Sequence, residues 1–187
     1  MNSVATFFVR AKHWQLFVLF LGTEFVGFVG SIAALMSASP SSQVIGGALM
    51  LPSYICPLVW WWSSGLLLRT AITPRRELNF GLFRFASIFM LLSVCLSPLL
   101  GALIPQSGTT LSPFLIALTA PVVLLFLLSM FYVQYFLSKS LVLKSKGRVG
   151  LGEGDVGCFF LFLFFILGVW VLQPRINQIY VEKRNNE

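Results

Sequence analysis

Among the 187 residues, Glu24 is the side chain best placed to do chemistry, because it sits inside a long and otherwise uncharged apolar stretch. An ionised carboxylate at the centre of a bilayer costs about 2.5–3.5 kcal/mol or more, so such a group must be neutral, paired or facing water. Helical spacing places Phe20, Glu24, Gly27, Ser31, Ala34 and Ala38 on one stripe. Small residues along that stripe would admit a neighbouring helix, which is expected to turn Glu24 into a bundle. No Lys or Arg lies in an apolar stretch to pair with it, so the candidate partners are neutral: Ser53, Tyr54, Cys56, Ser93, Cys95 and the carbonyls freed by Pro52 and Pro57. Two readings follow, a proton or cation site or a protonated acid making one interhelical hydrogen bond.

The remaining reactive side chains are scattered. Gly152 to Asp155 reads GxGD ahead of an apolar run and resembles the second catalytic element of prepilin peptidases and other intramembrane aspartyl proteases. That chemistry needs two carboxylates sharing a proton. Asp155 is the single Asp, and Glu24 would have to partner it from mid-membrane, so Asp155 reads better as the N-cap of a last helix. A glycine-rich nucleotide loop would need a preceding strand, and none is available here. His13 stands between Lys12 and Trp14 without a second histidine, and Cys56, Cys95 and Cys158 share no close spacing. Neither pattern makes a metal site, a triad or a disulfide framework, so no catalytic residue, metal or cofactor is expected.

The elements that position these residues follow from composition. The chain is 57% hydrophobic and 10% charged, whereas a soluble domain carries about 25% charge, so both a soluble globule and a disordered chain are excluded. Five runs approach the ~20 residues that cross a bilayer core: 14–36, 44–68, 85–104, 113–137 and 157–172. The expected fold is all-α, a polytopic transmembrane bundle of about five spans in a single membrane domain covering 1–187. Ten of the 13 basic residues fall at one set of span ends: Arg10 and Lys12; Arg69, Arg75, Arg76 and Arg84; Lys139, Lys144, Lys146 and Arg148. The intervening loops 37–43 and 105–111 carry no charge, which predicts a cytoplasmic N-terminus. Trp14, Trp60, Trp61, Trp62, Tyr132 and Tyr135 read as markers of that inner interface, and Trp170 as a marker of the outer one. The fifth run is the shortest. Should it be re-entrant or interfacial instead, the C-terminus would be cytoplasmic. Ser37 to Ser39 resembles a signal-peptide cleavage site, but an acid within the apolar run argues against one.

The second run contains Gly46, Gly47, Pro52, Pro57 and Gly65. It reads either as a kinked packing helix or as a discontinuous helix of the transporter kind. Arg69, Arg75, Arg76 and Arg84 are candidates for anionic lipid headgroups. The net charge of +7 marks a membrane face, not a nucleic-acid partner, because no soluble surface carries it.

The opening Lys12-His13-Trp14-Gln15-Leu16-Phe17 and the closing Trp170-Val171-Leu172-Gln173-Pro174-Arg175-Ile176-Asn177 together resemble an uncharacterised group of small bacterial multi-pass membrane proteins. A Tyr-containing fourth span running into Lys144 also fits. The resemblance implies residence in a bacterial inner membrane and brings no activity with it. Gln173, Arg175 and Asn177 are candidates for an interface or docking element. The expected role is non-enzymatic, an accessory or assembly subunit whose partners are the bilayer and either another membrane protein or further copies of itself. The alternatives are a small transporter or permease component built on Glu24 and the broken second span, and a GxGD protease.

Overall fold

A computed structural model describes residues 3–37, 40–71, 78–103, 113–146 and 153–185. Seven α-helices account for them: α1 (Ser3–Arg10), α2 (His13–Ser37), α3 (Pro40–Ala71), α4 (Phe80–Leu103), α5 (Pro113–Lys146), α6 (Glu153–Leu163) and α7 (Phe165–Asn185). Arg75 and Arg76 lie outside the described residues, as do loop 105–111 and Gly152. Among those described, four segments are long and apolar enough to cross a membrane: His13–Ala33, Val44–Arg69, Phe80–Ser97 and Thr119–Lys144. The protein is a polytopic helical membrane protein.

Local chemistry sets the helix ends. Gln15 Oε1 accepts from the Lys12 backbone N–H at 2.8 Å, half of a capping box at the start of α2. Asn79 Oδ1 accepts from Leu82 N at 3.1 Å and caps α4. Pro40 and Pro113 open α3 and α5, where a missing N–H has no consequence. Pro52 and Pro57 do not divide α3, which is helical throughout.

The packed core gathers at one end of the bundle, the end bearing Arg10, Lys12, Arg69, Arg84 and Lys144, called the basic end below. Phe83 stacks on Phe136 at 4.5 Å and on Trp62 at 5.9 Å, joining α3, α4 and α5. A Cβ at Gly65 would run into the Phe83 ring, so this glycine is what lets α4 approach α3. Trp60 and Trp61 are buried in this core, not spread along an interface as their position in the sequence suggested. Toward the other end α2 and α3 still pack closely, with the Cβ position of Gly27 lying 3.3 Å from Met50 Cα. Most large side chains there, Phe28, Val29, Ile45 and Leu92 among them, are exposed and fit an apolar solvent.

The fifth apolar run departs from a single straight crossing. It breaks at Phe164 between α6 and α7, and the two helices meet so tightly that a Cβ on Gly168 would overlap the Leu161 carbonyl oxygen. Beyond the bend α7 runs antiparallel to α2. Phe165 touches Phe20 at 5.3 Å, Trp170 touches Phe17 at 5.4 Å and His13 at 4.7 Å, and Gln173 reaches Ala11. At its end Glu182 meets Lys144 at 3.7 Å, an exposed pair worth little by itself. Trp170, expected at the outer interface, therefore lies at the basic end because α7 turns back. Cysteines introduced at Ser3 and Asn185, with the native cysteines replaced, should label from the same side of sealed vesicles with a membrane-impermeant maleimide. Labelling of the two from opposite sides would contradict the fold.

Candidate functional site

Two polar constellations stand out, one buried at the basic end and one part-way along α2. The first centres on Gln173, whose side chain is fully buried. Trp60 Nε1 donates to Gln173 Oε1 at 2.8 Å, and an indole N–H can only donate, so the amide orientation is fixed. Its Nε2 then faces the carbonyl oxygens of Phe8 (3.0 Å), Val9 (3.2 Å) and Ala11 (3.0 Å) and Asn177 Oδ1 (3.0 Å). Two N–H groups are shared among four acceptors. Asn177 Nδ2 adds a bond to Ala11 O at 3.3 Å. Carbonyls at the end of α1 have no intrahelical partner, and Gln173 caps them from more than 160 positions away. Asn177 lies one turn after Gln173 on the same face of α7, which explains the spacing in the closing motif. Arg175, between them, is exposed.

The second constellation surrounds Glu24, about 16 Å along a helix of about 37 Å. Glu24 is half-buried and shares a groove with Val18, Leu21, Gly22, Phe25 and Phe28, all from α2 itself. Of the stripe expected beneath it, Phe20 and Gly27 face inward, and Glu24 sits at the margin. Among the described residues none hydrogen-bonds to it. Ser53, buried, donates instead to Met50 O at 2.6 Å, and Tyr54 is exposed. Glu24, Ser53 and Tyr54 therefore do not converge. The same local solution recurs at Thr23, Ser31, Ser63 and Ser97, whose hydroxyls bond carbonyls three or four residues back, as hydroxyls do where water is absent.

The other candidates separate as well. Cys158 is buried, Cys56 half-buried and Cys95 exposed, on three different helices, and no disulfide joins them. Among the described residues no group of three or more His, Cys, Asp or Glu could hold a metal ion. The backbone of Asp155 is helical inside the first turn of α6, so it is not an N-cap, whose backbone is non-helical; its side chain lies outside the described set. Arg69 rests its guanidinium 4.1 Å from the centre of the Phe80 ring, and Arg84 is exposed one turn further along α4.

Sequence reasoning missed Gln134. It is fully buried on α5, and neither amide atom has a hydrogen-bond partner among the described residues. The composition of the fourth run gave no sign of this, since a glutamine beside two tyrosines reads equally well as an interfacial residue. No protein-family model, curated protein or solved structure matches the chain.

Two measurements check these assignments. Gln173→Leu leaves the Trp60 N–H and the α1 carbonyls without partners and should cost about 3 kcal/mol. It should also speed tryptic cleavage after Arg10 and Lys12; unchanged cleavage would show that α1 is held by other contacts. Gln134→Met removes an unpartnered buried amide at similar volume and should stabilise by about 1 kcal/mol, a rise of roughly 2–4 °C in the midpoint of thermal unfolding in detergent. A fall would mean that the amide has a partner in solution.

Proposed function

We propose that this chain is a non-enzymatic accessory or assembly subunit of a membrane complex. We place it in the bacterial inner membrane with a cytoplasmic N-terminus, among the group its two ends resemble. The observation that carries the reading is the carboxyl of Glu24, presented near mid-span on an outward-facing, apolar side of α2. A carboxyl left against acyl chains is costly, and the cations within the spans, Arg69, Arg84, Lys139 and Lys144, all stand toward the basic end and not beside it, so its complement must come from another polypeptide or from a shared proton. A carrier would need Glu24 beside a passage with further polar groups around it, and Ser53 and Tyr54 do not supply them. The basic residues gathered at one end support the orientation.

Affinity purification of the full chain in mild detergent tests the reading. A membrane subunit should co-purify stoichiometrically, and Glu24→Gln should reduce its recovery about tenfold. The variant's own thermal stability should change by less than about 0.5 kcal/mol, because Gln is nearly isosteric and Glu24 has no partner among the described residues to lose. Recovery of the chain alone, together with Glu24-dependent solute uptake in vesicles, would replace this reading with a transporter.

A further inference from the structure

Between α3 and α4, next to the basic end, a crevice of about 170 Å³ opens on the membrane-facing surface, lined by Leu58, Val59, Trp62, Ser87, Ile88 and Leu91. Three features give it a chemical gradient. Its inner walls are apolar and of acyl-chain character. The Ser87 hydroxyl oxygen is buried without a hydrogen-bond partner among the described residues. Arg84, Ser87, Ile88 and Leu91 follow spacings of three, four and seven on one face of α4, so the exposed Arg84 lies on the crevice's face of α4, one turn from its lining toward the basic end. Phe80 continues that face one turn further, and the Arg69 guanidinium sits on its ring, which holds a second cation beyond the mouth on the side of the basic end. From mouth to floor the order is cation, hydroxyl, hydrocarbon.

We infer that the α3–α4 crevice is a binding site for an anionic phospholipid. Arg84 and Arg69 would take the phosphate, the Ser87 hydroxyl a glycerol-ester carbonyl, and Leu58, Val59, Ile88 and Leu91 one acyl chain. The depth is consistent with this. Trp62, at the level of the mouth, precedes Arg69 by two turns, whereas Leu58 and Leu91 lie further into the span. A zwitterionic lipid offers the same hydrocarbon, but its headgroup cation cancels the attraction of the arginines. The site is separate from Glu24, so it stands independently of the subunit reading.

Native mass spectrometry of the full chain, titrated in mild detergent with phosphatidylglycerol or phosphatidylcholine of identical acyl chains, tests the site. Phosphatidylglycerol should be retained as one tight equivalent, at least about tenfold more strongly than phosphatidylcholine. Arg84→Gln should remove most of that preference. Ile88→Trp, which fills the crevice from an exposed position, should abolish the tight equivalent, with Leu91→Trp as a second filler if the first does not fold by circular dichroism. Arg175→Gln, on α7 and outside the crevice, should leave retention unchanged. Equal retention of the two lipids, an equal loss with Arg175→Gln, or retention untouched in a folded crevice-filled variant would each overturn the inference. Displacement of the lipid by millimolar inorganic phosphate would overturn it too, since a headgroup alone would then suffice.

Discussion

The Gln173 amide solves a problem that membrane proteins meet at every helix end. The last carbonyls of α1 lack intrahelical partners, and at the edge of a bilayer water is not a dependable substitute. One side chain gathers Phe8, Val9 and Ala11 while the Trp60 indole holds it from the other side. The arrangement requires α7 to lie against both α1 and α3. It therefore requires the chain to turn back after α6, which is why Gly168, with no Cβ, sits where Leu161 leaves no room for one. A straight fifth crossing would carry Gln173 to the opposite face and leave the α1 carbonyls and the Trp60 N–H without partners, a loss of several hydrogen bonds at once.

That clamp also explains why the core is lopsided. Large aromatic side chains, Phe20, Trp60, Phe83 and Phe162, are fully buried where α1, α6 and α7 add three further helices to the four long ones. Toward the other end only the long helices remain, and most of their large side chains face outward. In water this would be an aggregation hazard, but in a bilayer the surrounding hydrocarbon is as apolar as the side chains, so exposure costs little. Several polar groups in this half are handled locally, Thr23, Ser31, Ser53 and Ser97 each returning a hydroxyl to its own helix backbone. Glu24 has no such recourse, since a carboxyl on a helix has no nearby backbone donor, every N–H being engaged in the ladder.

The four long helices could be read from the sequence because charge and hydropathy are enough to specify them; their boundaries fall close to 14–36, 44–68 and 85–104. The fourth reaches further toward Lys144 than its apolar run because lysines at a span end can extend along the helix with their charge in the interface. The bend at Phe164 could not be read, since nothing at Phe164 or Phe165 is a helix breaker and the turn comes from tertiary contacts to α2 and α3. For the same reason Gln173 and Asn177 were recognisable as a pair but their direction was not, because one turn of rotation separates facing outward from capping α1. Glu24 was legible as the costly residue. Its face was not, since the small-residue stripe does bring α3 close at Gly27 while the carboxyl lies beside the contact instead of within it. Gln134 carried no signal of its burial.

The packing order keeps the two recognition surfaces apart. α2 packs on α3 and α7, whereas α4 packs on α3 and α5. Glu24 and the Arg84 crevice therefore lie on different sides of α3, one near mid-span and the other near the basic end. They share no side chain, and substitutions without common partners add nearly independently. Among the described residues, the element that packs on both α2 and α4 is α3, which runs unbroken through Pro52 and Pro57 and is fixed at the basic end by Trp60 and Trp61 in the aromatic core. Engagement of either surface can alter the other only by shifting α3. Such a shift would have to break the Trp60–Gln173 bond or the Trp62–Phe83 stack, and the clamp thus makes α3 a rigid divider between the two surfaces.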